Sequence, residues 1–328
     1  MSAPLLTVCD LEVHFPVVIG GMFRRRHVAL KAVDGVSFEL HQGETLGIVG
    51  ESGCGKSTLG RAVLRLIEPT GGHVVWLGED LGGLRAEAMR QKRREMQIVF
   101  QDPLASLDPR MTVGDSIAEP LITHEPGLAR AEVRTRVRET MARTGLSPQM
   151  INRYPHEFSG GQCQRIGVAR AIILQPRLIV CDEPVSALDV SIQAQIINLL
   201  ARLQRELGLA LLFISHDLSV VRHVSQRILV LYLGKTMELA GRDTLFQASR
   251  HPYTKALISA VPIPDPKLER AKRRIVLGGE LPSPLAPPSG CVFRTRCPLA
   301  AGICAREVPA IERIGPDHQV ACHRWREV

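Results

Sequence analysis

The chain has 328 residues, 45% hydrophobic and 23% charged, which excludes disordered and fibrous proteins and suffices for one large α/β domain plus an appendage. No stretch approaches the ~18 uninterrupted apolar residues of a membrane span, and Met1-Ser2-Ala3-Pro4 lacks the basic start and apolar core of a signal peptide, so a cytosolic chain that sits on a membrane protein or stands alone is expected. The 41 Lys+Arg against 33 Asp+Glu leave +8, gathered in Arg24-Arg25-Arg26, Arg90 to Arg94 and Arg270 to Arg274. These runs read as solvated faces or as contacts with an anionic inner leaflet; with 4% aromatic residues and no stacking motif between them, no nucleic acid is expected as a partner.

From Leu5 to Leu40 apolar and polar residues alternate (Val13, Phe15, then Val36, Phe38, Leu40), broken by a loop at Ile19-Gly20-Gly21, and the pattern predicts antiparallel β-structure. Phe15 either stacks on an adenine or fills the core. The apolar run Thr45 to Val49 then predicts a buried strand, and Ser57 to Ile67 carries helical spacing. Between them Gly50-Glu51-Ser52-Gly53-Cys54-Gly55-Lys56-Ser57-Thr58 matches G-x-x-x-x-G-K-[ST]. A glycine-rich turn at that place aims backbone N–H groups and the positive end of a helix dipole at one anion. Lys56 is expected to reach the β- and γ-phosphates of a nucleotide, Ser57 to coordinate Mg²⁺ and Thr58 to touch the α-phosphate.

His73 to Leu77 returns to strand character, Ala86 to Glu95 reads as a charged helix, and Met96 to Phe100 as a strand feeding the loop Gln101-Asp102-Pro103. A helical insertion is expected from Asp102 to about Arg165, with a helix over Val113 to Glu119 stopped by Pro120 and another over Arg130 to Thr144. Phe158-Ser159-Gly160-Gly161-Gln162 precedes a helix expected over Gln164 to Leu174. That turn is either a second anion site at a helix N-terminus or a plain N-cap.

The core resumes with the strand Leu178 to Cys181, ending in Asp182-Glu183, adjacent carboxylates suited to hold the Mg²⁺ hydration shell and to polarise an attacking water. Ser191 to Leu207 is amphipathic, with Ile192, Ile196, Leu199, Leu200, Leu203 and Leu207 in one stripe. The strand Leu211 to Ile214 ends at Ser215-His216-Asp217, where His216 is either structural or a γ-phosphate contact. Strands and helices in alternation imply a parallel sheet with ligands at the strand C-terminal ends. Ile228 to Tyr232 and Met237 to Leu239 predict a hairpin, and dense proline from Pro262 to Pro288 an extended arm.

Of eight cysteines, Cys9, Cys54, Cys163 and Cys181 are scattered, whereas Cys291, Cys297, Cys304 and Cys322 cluster near the C-terminus. Their spacing matches neither the C-x2-C pairs of zinc ribbons nor the tight ferredoxin run. Four clustered thiols in a reducing compartment favour a soft metal over disulfides, with free structural thiols as the other reading and zinc as a third.

The order of Gly50 to Thr58, Gln101, Ser159-Gly160-Gly161-Gln162, a hydrophobic strand with Asp182-Glu183, Ser186-Ala187-Leu188-Asp189 and His216 resembles the ATP-binding-cassette (ABC) ATPases over essentially the whole chain. Gln101 to Arg110 and the segment Pro-Pro-Ser-Gly-Cys291-Val-Phe-Arg-Thr-Arg-Cys297-Pro point to the di/oligopeptide permease branch. Phe158 to Arg165 and His251-Pro252-Tyr253-Thr254-Lys255-Ala256-Leu257 are most similar to the F type of that branch's two ATPase subunits. Phe158 stands where many cassettes have Leu, and Cys163 where many have Gln; neither change removes a phosphate contact.

The resemblance implies a P-loop ABC cassette over residues 1–101 and 166–250, with a RecA-like parallel sheet and an N-terminal antiparallel β-subdomain. A helical subdomain carrying the signature is implied over 102–165, and a cysteine-containing extension over 251–328. ATP and Mg²⁺ are the implied cofactors, with Glu183, His216, Gln101 and Lys56 catalytic and Mg²⁺ on Ser57, Gln101 and Asp182. Phe15, Gly50, Ser52, Gly53, Cys54, Gly55, Lys56, Ser57 and Thr58 are implied to bind the nucleotide; Ser159, Gly160, Gly161, Gln162 and Asp189 are implied to act on ATP held by a partner chain. A [4Fe–4S] cluster on Cys291, Cys297, Cys304 and Cys322 is also implied. The implied function is ATP-driven uptake of di- and oligopeptides from the cytoplasmic face of the inner membrane, where the chain is peripheral. Its partners would be a second ABC ATPase in a heterodimer, two transmembrane permease subunits and an extracytoplasmic peptide-binding protein. A soluble ABC ATPase acting on nucleic acid or ribosomes is the alternative.

Overall fold

The computed structural model describes residues 3–19, 26–262 and 265–328. The loop residues Gly20 and Gly21, Arg24 and Arg25 of the first basic run, and Met1 and Ser2 lie outside the described residues. The chain forms two compact units. A strand-rich unit takes Pro4–Leu40, Leu46–Gly82 and Ser215–Val328, and a helix-rich unit His41–Thr45 and Gly83–Ile214.

The strand-rich unit begins with β1 (Leu6–Ile19) and β2 (Arg26–Leu40), antiparallel as expected, with Leu6 opposite Leu40 and Phe15 opposite Leu30. Leu6, Val8, Leu11 and Val13 of β1, with Val33, Val36, Phe38 and Leu40 of β2, are buried, so one face of the pair is core. β3 (Thr45–Val49), buried throughout, leads into α1 (Lys56–Val63). This helix ends short of the expected Ile67 because Arg65 turns into the left-handed region (φ +48), with its N–H on the carbonyl of Ala62 and that of Leu66 on Arg61. β4 (Gly71–Trp76) and β5 (Glu79–Asp80) complete a four-stranded sheet in the order β2-β1-β4-β5.

The helix-rich unit starts with α2 (Ala86–Arg93) and β6 (Met96–Val99), followed by α3 (Val113–His124), α4 (Arg130–Arg143) and α5 (Gly160–Ile172). α3 does not stop at Pro120. The missing N–H and the ring clash are outweighed because Ile117, Ala118 and Leu121, on both sides of the proline, are buried in one core with Val137, Met141 and Ile166. α5 starts before the expected Gln164, with Gly160 and Gly161 inside its first turn. A reciprocal cap sets that start: Ser159 Oγ accepts from Gln162 N at 3.4 Å and Gln162 Oε1 accepts from Ser159 N at 2.9 Å. β7 (Leu178–Asp182), α6 (Val190–Leu207) and β8 (Ala210–Ile214) follow, and β6, β7 and β8 pair in parallel, Met96 beside Leu178 and Leu178 beside Ala210.

Back in the strand-rich unit, α7 (Leu218–Val224) precedes β9 (Arg227–Tyr232), parallel to β3 with Val49 beside Val230. The expected hairpin joins β9 to β10 (Lys235–Gly241) through Leu233 and Gly234, both at positive φ (+45 and +77), the geometry of a two-residue turn that matches strand twist. α8 (Arg242–Ala248) and α9 (Pro252–Ala260) follow, and the proline-dense arm carries a short helix, α10 (Pro266–Ala271). After α11 (Gly302–Arg306), β11 (Glu312–Gly315) and β12 (His318–Val320) add antiparallel strands to β10, giving the order β11-β12-β10-β9-β3 within this unit.

Candidate functional site

In the strand-rich unit the loop between β3 and α1 is shaped by close backbone approach. A Cβ on Gly50 would lie 2.2 Å from the Leu231 carbonyl oxygen, and one on Gly55 1.9 Å from that of Ala32; Gly55 also sits at φ +103. Gly55 begins α1 with no side-chain cap, unlike Ser159 at α5 and Asp217 at α7. Lys56 is buried, and its Nζ donates to the carbonyls of Gly50 at 2.8 Å and Glu51 at 3.0 Å. Its ammonium thus lies along the loop where phosphate oxygens are expected. The neighbouring Cys54 thiol, buried, is pushed up in pKa by that burial.

The same unit brings His216 and Phe15 to this loop's surroundings. Ser215 N donates to Ile48 O at 3.1 Å, two residues before Gly50, and the exposed His216 follows directly. Asp217 closes that turn: its N–H reaches Ser215 Oγ at 3.0 Å and its carboxylate caps α7 at Ser219 N at 2.8 Å. Phe15 is half-buried opposite Leu30, two residues from the Ala32 carbonyl that abuts Gly55.

The helix-rich unit brings together the carboxylates and Gln101. Asp182 closes β7 with its side chain buried, and Glu183 follows at φ +46. For a residue with a Cβ that conformation costs about 1–3 kcal/mol and persists only where its surroundings impose it. Here Glu183 N donates to Ile214 O at 3.1 Å, while its own carbonyl accepts from Ser186 N at 3.3 Å and from Ser186 Oγ at 3.1 Å. The carboxylate accepts from Gln101 Nε2 at 3.1 Å. Gln101 reaches it from the loop after β6, which Asp102 stiffens by accepting from Leu104 N at 2.9 Å and Ala105 N at 3.0 Å.

Ser159 is exposed at the start of α5, and Asp189 is exposed at the start of α6 without a side-chain cap. Gly161 is required by packing: a Cβ there would lie 2.4 Å from Ile192 Cγ2 of α6. Its glycine therefore allows two helices to approach, a role that a glycine-rich turn read as a phosphate grasp does not suggest.

The four clustered cysteines gather in the strand-rich unit with no disulfide; Cys291 and Cys304 are buried and Cys297 and Cys322 half-buried. Burial pushes the Cys291 and Cys297 thiols up, and it pushes Cys322 up to about 11, with Cys297, Cys291 and Cys304 close enough to add to the shift. Cys291 N donates to Cys304 O at 2.8 Å, and Arg324 N to Cys322 Sγ at 3.4 Å. Among the described residues the trio of ligand-type side chains with donor atoms within 4.8 Å of one another is Glu12, His14 and Asp34 rather than any three of these cysteines.

Contacts from Tyr253 and Arg296 to the loop between β3 and α1 have no local sequence signal. Glu51 N donates to Tyr253 Oη at 2.9 Å, and Arg296 Nη1 donates to Glu51 Oε2 at 2.7 Å. Tyr253 stands out in the sequence only as part of His251-Pro252-Tyr253, and Arg296 only as the residue before Cys297.

Residues 33–186 match the ABC transporter family model, and residues 237–304 match the oligopeptide/dipeptide transporter C-terminal region. The chain is 60% identical over 319 residues to the oligopeptide transport ATP-binding protein OppF of Salmonella typhimurium, covering 97% of this chain and 95% of that protein. It is 55% identical to the oligopeptide transport ATP-binding protein AppF of Bacillus subtilis, over 98% of this chain and 97% of that one. Among solved structures, the cassette MJ0796 in a dimeric post-hydrolysis state bound to ADP and Pi aligns with a TM-score of 0.64 at 28% identity, over 72% of this chain and 98% of that one.

Proposed function

The chain belongs to the ABC transporter ATPases that carry an oligopeptide/dipeptide transporter C-terminal region, and from that premise we propose that it is the ATP-hydrolysing subunit of a membrane importer of di- and oligopeptides. The observation that carries the hydrolytic reading is Glu183, held at φ +46 with its carboxylate on the amide of Gln101. A strained acid beside a side chain able to orient water is suited to act as general base.

Lys56 neutralises charge on the β- and γ-phosphates, the amides of Ser52 to Thr58 hold the phosphate chain, and Phe15 stacks on the adenine. Ser57, Asp182 and Gln101 would hold Mg²⁺, and the ion would supply positive charge to the phosphoryl oxygens. Glu183 takes the proton of the attacking water, and His216 hydrogen-bonds the γ-phosphate. Ser159, Gly160, Gly161, Gln162 and Asp189 act in trans on the nucleotide of a second cassette. Support for a separate helical subdomain over 102–165 comes from its own core around Ile117, Val137 and Met141, which runs on through α5 to Leu174 just beyond its end.

The partners of this reading are a second ABC ATPase in a heterodimer, two transmembrane permease subunits and an extracytoplasmic peptide-binding protein. The chain is peripheral on the cytoplasmic face of the inner membrane; among the described residues no helix is long and apolar enough to cross it. The named relatives are transport proteins, which weighs against the alternative on nucleic acid or ribosomes. For the cysteine lobe, the gathered thiols and the N–H donated to Cys322 Sγ support a [4Fe–4S] cluster on Cys291, Cys297, Cys304 and Cys322. The test of the transport reading is co-purification with the membrane subunits, followed by peptide uptake into proteoliposomes. ATP-dependent uptake supports it; salt-sensitive binding to RNA or DNA without membrane association overturns it.

A further inference from the structure

We propose that Arg296 and Tyr253 are positioning residues for ATP, holding the phosphate loop in register through a grip on Glu51. Glu51 is held at three of its atoms. Its carboxylate accepts from Arg296 Nη1 at 2.7 Å, its N–H donates to Tyr253 Oη at 2.9 Å, and its carbonyl accepts from Lys56 Nζ at 3.0 Å. The last contact carries the consequence to chemistry, because the residue gripped by the extension is, with Gly50, one of the two whose carbonyls park the phosphate-binding lysine.

The grip is built rather than incidental. The Arg296 side chain is only 10% exposed and that of Glu51 27%, so the charge-assisted bond is partly shielded from water. The guanidinium lies 5.9 Å from the Tyr232 ring centroid, over its face. Tyr232, Tyr253 and Phe293 pack edge to face or tilted at 4.8 to 5.3 Å, and the buried His251 ring lies 5.6 Å from Phe293. Tyr253 is fully buried among these rings, so its oxygen accepts the Glu51 N–H at a fixed place. Its backbone is fixed by α9, where Tyr253 N donates to His251 Nδ1 at 3.1 Å.

Arg296 is presented by the lobe that gathers the thiols. Arg294 N donates to Cys291 O and Arg296 N to Phe293 O, both at 3.0 Å, and Cys297 follows at once. A glycine-rich loop has little stiffness of its own, and a displacement of about 1 Å at a positioning group is felt strongly in catalysis. The extension therefore supplies a rigidity that the loop's sequence lacks.

This inference rests on the reading of the chain as an ATPase. The experiment measures MgATP affinity, KM and kcat on the full chain in its membrane complex, for Arg296→Gln, Glu51→Gln, the double variant, the exchange Arg296→Glu with Glu51→Arg, and Tyr253→Phe, which removes one oxygen and leaves the ring packing. Loss of the partly shielded ion pair, or in Tyr253→Phe of the acceptor for Glu51 N–H, predicts that KM and Kd rise about three- to tenfold in each single variant while kcat changes less than about twofold. The double variant is expected to be no worse than the singles, and the exchange to restore affinity at least partly. Unchanged affinity in the single variants, additive losses in the double, or a loss in kcat alone overturns the proposal. A wild-type complex without ATP turnover overturns the ATPase reading instead, so the two failures are distinguishable.

Discussion

Gln101 Nε2 donates to Glu183 Oε2 at 3.1 Å, joining the loop after β6 to the residue after β7. The bond occupies one oxygen of the proposed base and orients the other. Glu183→Gln keeps the size and the backbone bonds of the site but cannot accept a proton. Hydrolysis is expected to fall about 10²- to 10⁴-fold while MgATP affinity is retained and an ATP-dependent complex with a second cassette accumulates. Steady-state turnover beside nucleotide binding and size-exclusion measurements checks this, and near-normal turnover refutes the base assignment.

Gly161 predicts a different outcome, because its glycine is set by packing. In Gly161→Ala the new Cβ would meet Ile192 Cγ2 at 2.4 Å, so α5 and α6 must separate or Ile192 must rotate. Overpacking of this kind costs about 1–3 kcal/mol. A lowered unfolding midpoint is expected, with recovery when Ile192→Val or Ile192→Ala is added. A midpoint unmoved by Gly161→Ala would contradict the packing role.

These two cases show what the sequence carries. The strand, turn and helix around Gly50 to Thr58 are legible because they are contiguous, with glycine, lysine and hydroxyl within one short stretch. Asp182-Glu183 was legible because an apolar run locates a strand tip. The start of α5 is hidden from local pattern because two glycines weigh against helix, although Ser159 and Gln162 stand at capping-box spacing. Pro120 reads as a stop because local chemistry cannot weigh the burial of Leu121 against a missing N–H. The grip on Glu51 joins residues 245 and 202 positions apart, and no local pattern encodes such contacts.

His251 predicts how stability depends on pH. Its ring is buried, burial pushes its pKa down to about 3, and its Nδ1 accepts from Tyr253 N. In the unfolded chain it titrates near 6.5, so between about pH 6.5 and 3 the unfolded state binds more protons than the folded one. The stabilisation is present above pH 6.5 and is lost as pH falls through that window. Equilibrium unfolding at pH 7 and pH 5 is expected to show a loss on acidification that is smaller in His251→Asn, which keeps a capping acceptor at the start of α9. An identical pH slope in the variant would remove His251 as its source.

The cysteine lobe makes the last prediction. Four thiols gathered without a disulfide, with burial and mutual proximity holding Cys322 up at about 11, disfavour several thiolates at once unless a cationic centre neutralises them. The proposed metal cluster would supply that charge, and the N–H of Arg324 on Cys322 Sγ is the kind of donor that supports a ligating sulfur. Protein purified anaerobically is expected to contain iron and acid-labile sulfide in equal amounts, and Cys297→Ser to lose most of both. Equal iron in the variant would remove Cys297 from the ligand set. A colourless, metal-free wild-type chain would leave the four thiols as packing groups in the lobe that presents Arg296.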